Sequence, residues 1–123
     1  MSPIKVLAFG ALLTGLAAAG QAAAATPVES ITAICVLERT RGGEAEAERK
    51  CSCEVTDMAS KLDAETLRVF GITAEVALAL PEGHDAEALM NGVKARGVTD
   101  QQFAAASQAW EPALAAASAT CGT

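Results

Sequence analysis

Apolar residues recur along this chain at the three- and four-residue spacing of an amphipathic helix. No stretch alternates with the two-residue period of a half-buried strand. Divided at its capping, proline and glycine signals, the pattern predicts five helices, over about 26–41, 44–62, 64–80, 85–96 and 100–121. The predicted fold class is therefore all-α, a compact bundle of four to five helices.

Local signals mark the helix boundaries. The stretch Thr26-Pro27-Val28-Glu29 combines a capping box with proline at the first helical position. Asp63 is a candidate cap for the third helix, and Thr99 with Gln102 repeats the capping-box signature before the fifth. In the second helix a single apolar stripe, spaced at i, i+4, i+7 and i+11, comprises Cys51, Val55, Met58 and Leu62.

The third predicted helix is apolar on two sides. One stripe comprises Leu67, Phe70, Ala74 and Ala77. The other comprises Val69, Ile72, Val76 and Leu80. A helix of this kind is either central in a bundle or partly exposed for a partner. The second stripe is therefore a candidate partner face.

The first 25 residues have the composition of a secretory signal peptide. Lys5 supplies a positive charge, an apolar run follows over 6–19, and small residues suited to signal peptidase follow over 21–25. We expect cleavage after Ala24 or Ala25, which leaves a domain over 26–123. This domain would be periplasmic or secreted and would have no stable insertion in a membrane. The alternative is an uncleaved anchor, but its apolar stretch reaches membrane length only by counting Ala and Gly.

The composition of the predicted mature domain limits its partners. Eight basic residues stand against fifteen acidic ones, a formal charge of −7, which disfavours binding to a nucleic-acid backbone. Alanine is abundant, whereas the aromatic residues after position 25 are Phe70, Phe103 and Trp110. Because alanine buries little apolar area, the core of so small a domain is marginal, and disulfides would supplement it.

Four cysteines allow three pairings. Pairing Cys51 with Cys53 is disfavoured because side chains two residues apart on a helix diverge. This leaves Cys35–Cys51 with Cys53–Cys121, or Cys35–Cys53 with Cys51–Cys121. An antiparallel hairpin about 42–43 would bring Cys35 level with Cys51 and favours the first pairing, while the second stays open. Either pairing cross-links the first and last helices to the second.

An alternative function uses Cys51 and Cys53 in thiol redox chemistry or copper handling. Catalytic dithiols usually have the spacing C-x-x-C at a helix N-terminus, whereas these cysteines lie within a predicted helix with only one residue between them. A copper site would combine them with His84 and with Met58 or Met90. The histidine lies in a predicted turn and the methionines fit apolar stripes. We therefore expect no metal, no cofactor and no catalytic constellation.

Several features follow one another along the chain: a signal peptide, Cys35, Cys51-Ser52-Cys53, the segment Lys61-Leu62-Asp63-Ala64-Glu65 and a late Cys121. This order resembles that of a loose group of small exported bacterial helical proteins. The resemblance implies an exported location and a helical fold, and it carries no activity or site residue to this chain. The leading hypothesis is a non-enzymatic binding or structural protein of the cell envelope. Its partner would be an envelope protein or a second copy of the chain.

Overall fold

The computed structural model describes residues 25–122. Within this range the chain forms five helices and no strand, so the all-α prediction is confirmed. None of these described helices is both long enough and apolar enough to cross a membrane. Apart from Ala25, the predicted signal peptide lies outside the described residues. The helices are α1 (Pro27–Arg41), α2 (Ala47–Ala59), α3 (Ala64–Ala79), α4 (Ala86–Ala95) and α5 (Asp100–Cys121).

The predicted helix starts at α1, α3 and α5 are confirmed. The Thr26 hydroxyl accepts a hydrogen bond from the Glu29 N–H at 3.2 Å, and the Glu29 carboxylate accepts one from the Thr26 N–H at 2.9 Å. Asp63 caps α3 by accepting from the Thr66 N–H at 2.7 Å. Thr99 begins α5 with the same reciprocal pair of bonds as α1. These caps satisfy backbone donors that a helix N-terminus leaves free.

Helix α2 is shorter at both ends than the predicted range 44–62. Glu46 precedes it in the left-handed conformation, with φ 59° and ψ 32°, and a residue in that conformation cannot continue a right-handed helix. Of the three alternate acidic residues Glu44, Glu46 and Glu48, only Glu48 lies in the first turn, where its negative charge interacts favourably with the helix dipole. Glu44 instead lies 3.4 Å from the guanidinium of Arg39 in α1.

Helices α1 and α5 each pack against both α2 and α3, and α4 packs on α3. The most extensive contact joins α1 to α3. There Pro27 crosses α3 directly over Gly71, where an added Cβ would lie 2.8 Å from two Pro27 atoms. Glycine in the middle of α3 therefore marks a close helix crossing rather than a break in the helix.

The stripe considered above as a candidate partner face belongs instead to the core, so of the two alternatives the structure supports a helix central in the bundle. Val69 is fully buried and Val76 is 8% exposed. They pack with Val93 of α4, with Val98 and with Ala106 of α5. Ile72 and Leu80 are partly buried against the same cluster. The second apolar side of α3 is covered within the molecule because α4 and the start of α5 fold back over it.

Two disulfides cross-link the helices, as the fold prediction requires. Cys35 of α1 is bonded to Cys51 of α2, and Cys53 of α2 is bonded to Cys121 at the end of α5; the Cα atoms are 5.9 Å apart in both pairs. This is the first of the two pairings considered above. Disulfides persist in oxidising compartments and are rare in the cytosol, so this domain is built for an oxidising environment.

Candidate functional site

The structure does not present Cys51 and Cys53 as a dithiol. The two residues belong to different bridges, and no cysteine in the described part of the chain is free. Cys51 is fully buried, whereas Cys53 is on the exposed side of α2. A redox reaction at either position would therefore begin from a disulfide that joins two helices.

The residues considered for copper are also dispersed. Met58 is 2% exposed and packs against Ala113 and Ala117 of α5. His84 lies in the turn between α3 and α4, where its Nδ1 is 3.1 Å from the Pro81 carbonyl oxygen. Among residues 25–122, no group of three or more His, Cys, Asp or Glu side chains is arranged to hold a metal ion.

Two cavities are lined by α1 on one side and by α5 on the other. They share Ile31, Ile34 and Glu38 of α1 and Trp110 of α5, and we call them together the α1–α5 crevice. The larger lobe has a volume of about 250 Å³ and the smaller about 170 Å³. The larger lobe is completed by Cys35, Arg39, Glu54, Val55, Met58 and Leu114. The smaller lobe is completed by Phe70, Thr73, Ala74, Ala77 and Leu89.

Trp110 forms the aromatic wall of the crevice. Its ring stacks on Phe70, with centroids 4.1 Å apart and planes inclined by 17°. Phe70 in turn contacts Phe103, with centroids 5.8 Å apart. This packing restrains the indole while leaving it half-buried and in contact with both lobes. Phe103 and Phe70 thus hold the Trp110 ring in place as one wall of the crevice, and the space between α1 and α5 stays open.

An ion pair interrupts the apolar lining of the larger lobe. Glu54 is 2% exposed, and its Oε1 accepts a hydrogen bond from Nη2 of Arg39 at 2.6 Å. Nε of Arg39 also lies 3.4 Å from the carboxylate of Glu44. Nη1 of Arg39 and Oε2 of Glu54 are buried and have no hydrogen-bond partner among the described residues. Burial of an incompletely bonded ion pair costs stability, and this pair places one unpartnered donor and one unpartnered acceptor at the cavity wall.

Glu38 supplies a second negative charge to the crevice. It is exposed, lines both lobes, and has no ion-pair partner among the residues that the structure describes. Three ionisable groups thus line the crevice, two carboxylates and one guanidinium. The net charge of the lining is negative when all three are ionised.

A separate depression lies on the outer side of α1 and α2. Its volume is about 660 Å³, larger than either lobe of the crevice, but it is wide and open to solvent. It is lined by Thr32, Ala33, Val36, Leu37, Thr40, Glu48 and Ser52. This surface offers neither an aromatic ring nor a buried charged group. The crevice is therefore the better candidate for a specific ligand, since its polar groups are few and fixed.

Reasoning from the sequence did not find the crevice. One signal was available in α2, where Glu54 lies three residues after Cys51 and next to Val55 on an otherwise apolar stripe. A charged residue in such a position is seldom buried without a partner. That signal predicts a buried ion pair, but it does not identify Arg39 as the partner or Trp110 as the opposite wall.

Comparisons of the chain with protein-family models, with curated proteins and with solved structures found no match. The features of this chain that bear on its function are therefore those of the crevice itself: its shape, its charged groups and the helices that form it.

Proposed function

We propose that this protein is a small, non-enzymatic binding protein of the cell envelope, exported to the periplasm or secreted, which holds a ligand in the α1–α5 crevice. The observation that carries the proposal is a crevice with largely apolar walls, one restrained aromatic wall and an incompletely bonded ion pair. Ligand sites in proteins are concave and mostly apolar, with a few placed polar groups.

Export is supported by two independent features. The two disulfides fit an oxidising compartment. Residues 1–25 have the charge and apolar pattern of a cleaved signal peptide. Neither feature distinguishes the periplasm from the cell exterior, so the proposal includes both.

Binding rather than catalysis is supported by the state of the polar groups in the crevice. The Thr73 hydroxyl donates to the Val69 carbonyl oxygen at 2.8 Å, so it is already engaged within α3. Cys35 is bonded to Cys51, and Glu54 is held by Arg39. A nucleophile must be free and lie beside a base, and none of these groups meets that requirement.

The size of the crevice sets the affinity that we expect. A ligand that buries about 200 Å² of apolar surface gains roughly 5 kcal/mol. Association costs several kcal/mol in lost freedom, which the polar contacts offset in part. The net binding free energy is then below about 5 kcal/mol, so we expect a dissociation constant of about 0.2 mM or weaker for a ligand of a few carbon atoms.

Trp110 makes the proposal directly testable, because it is the single tryptophan of the chain. Titration with 1-hexanol should change its fluorescence in a saturable manner. A matched pair of variants locates the site: Leu114 lines the larger lobe and is 38% exposed, whereas Leu78 is 41% exposed and lines neither lobe. Leu114→Gln should weaken binding by about three- to tenfold, since it places a polar amide on the wall. Leu78→Gln should leave binding unchanged.

Absence of saturable binding to the unmodified protein, checked by calorimetry, would reject the crevice as a ligand site. Equal effects of the two glutamine variants would place any observed binding elsewhere on the surface.

A further inference from the structure

The charges of the crevice favour one sign of ligand. The guanidinium of Arg39 is already engaged by two carboxylates, Glu54 at 2.6 Å and Glu44 at 3.4 Å. Glu38, which lines both lobes, has no such partner in the described part of the chain. The positive charge of the lining is thus compensated, while one negative charge is not.

Trp110 adds a second feature that attracts cations. The face of an indole ring carries partial negative charge and is the strongest cation–π acceptor among the side chains. Trp110 lines the same two lobes as Glu38, and Phe70 restrains it from one side. A carboxylate and an indole on one apolar crevice form the pair of groups that recognises an ammonium ion attached to an apolar body.

We propose that the α1–α5 crevice selects hydrophobic cations, namely primary or quaternary amines with a short alkyl or aryl body. The apolar body occupies the lobes, and the cationic head is held at the Glu38 carboxylate and the Trp110 ring. This inference rests on the proposed binding function and names the class of ligand.

The overall charge of the chain supports this choice of sign. The buried Glu54–Arg39 pair does not decide it, because the pair leaves one acceptor, Oε2, and one donor, Nη1, without a partner among the described residues. The whole chain carries fifteen acidic and nine basic residues, so its average field also attracts cations and repels anions. An anionic ligand would face the Glu38 carboxylate, and the unpartnered donor Nη1 of Arg39 belongs to a guanidinium whose charge Glu54 and Glu44 already balance.

Three probes that share one alkyl chain test the inference: hexyltrimethylammonium, 1-hexanol and hexanoate. Trp110 fluorescence and calorimetry give the dissociation constant of each for the oxidised protein at low ionic strength. We expect hexyltrimethylammonium to bind about tenfold more tightly than hexanoate, with hexanol between them. Added salt should reduce this difference, because Glu38 is exposed and screening is effective at such a site.

Glu38→Gln removes the charge while keeping the size of the side chain, and it should reduce the preference for the cation to about threefold or less. Glu87→Gln is the matched control, because this substitution removes the same unit of charge. Glu87 is exposed on α4 and lines neither lobe. It should keep the full preference. Circular dichroism of both variants verifies that the fold is retained.

The outcomes separate this inference from the proposed function. If hexanol binds as tightly as the cation, or if Glu38→Gln and Glu87→Gln act alike, the cation preference is wrong and the binding function stands. If none of the three probes binds the unmodified protein, both the binding function and the cation preference are wrong.

Discussion

Reduction of the two disulfides should remove about half or more of the free energy of unfolding. The bridges close loops that follow one another along the chain, with sequence separations of 16 and 68 residues. Because the loops do not overlap, each bridge restricts a different part of the unfolded chain, and their contributions should be nearly additive. No described cysteine is free, so reduction is a defined change from two bridges to four thiols.

The magnitude follows from the entropy of loop closure. A 16-residue separation corresponds to about 3 kcal/mol, and a 68-residue separation to about 4 kcal/mol. Domains of this size have total stabilities of roughly 5–15 kcal/mol. The bridges together therefore account for about 7 kcal/mol, which is half or more of the expected stability. The core is built largely of valine and alanine side chains, which leaves little reserve.

Urea denaturation followed by circular dichroism measures the effect, with and without a phosphine reductant. The double variant Cys53→Ala with Cys121→Ala isolates the longer loop, and Cys35→Ala with Cys51→Ala isolates the shorter one. Loss of the longer loop should cost about 4 kcal/mol and lower the melting temperature by roughly 20 °C. A variant without cysteines, treated with the same reductant, controls for effects of the reagent.

An unchanged urea midpoint after complete reduction, with four thiols counted by alkylation, would refute this reasoning. The bridges would then contribute nothing measurable to folding. The exposed Cys53 would have to be considered for a chemical role instead of a structural one.

Two further predictions concern charged groups. Glu54→Gln should destabilise the protein by about 2–3 kcal/mol in urea denaturation, because it leaves the Arg39 guanidinium facing a neutral partner in a buried position. The control is Glu48→Gln, at an exposed site in the same helix, which should change stability by less than about 0.5 kcal/mol. Hydrogen bonds from Thr66 hold the pKa of the Asp63 carboxyl below its usual value. Its contribution to stability is therefore complete above the unfolded-state pKa and is lost as the pH falls through the lower folded-state value. Asp63→Asn should show a smaller loss of melting temperature between pH 6 and strongly acidic pH than the unmodified protein; an identical loss would refute this assignment.

The parts of the fold that depend on neighbours in sequence were predictable. Thr26, Asp63 and Thr99 begin helices as their capping patterns indicate, because each cap satisfies donors within three residues. The start of α2 was not predicted. A run of acidic residues suits a helix N-terminus, but the backbone at Glu46 adopts a left-handed conformation that no residue pattern there indicates.

The parts that depend on distant contacts were not predictable from periodicity. Two apolar stripes on α3 are consistent with a buried helix and also with an exposed partner face. Only the position of α4, which brings Val93 onto Val69 and Val76, decides between these interpretations. The crevice also depends on distant contacts, because Glu38 and Trp110 are 72 positions apart in the sequence. They line one site only because α1 and α5 both pack on α2 and α3.

The disulfides and the larger lobe of the crevice involve the same three helices. The bridges tie α2 to α1 and to α5, and the larger lobe is lined by residues of α1, α2 and α5. Cys35 itself lines that lobe. The small side chains of Ala113 and Ala117 let α5 lie close to Met58 of α2. Bulky side chains therefore do not set the distance between α2 and α5 there. The covalent frame therefore does more than stabilise a small core. It also restrains the walls of the larger lobe, and under the binding function that we propose this pre-organisation would lower the entropy cost of binding.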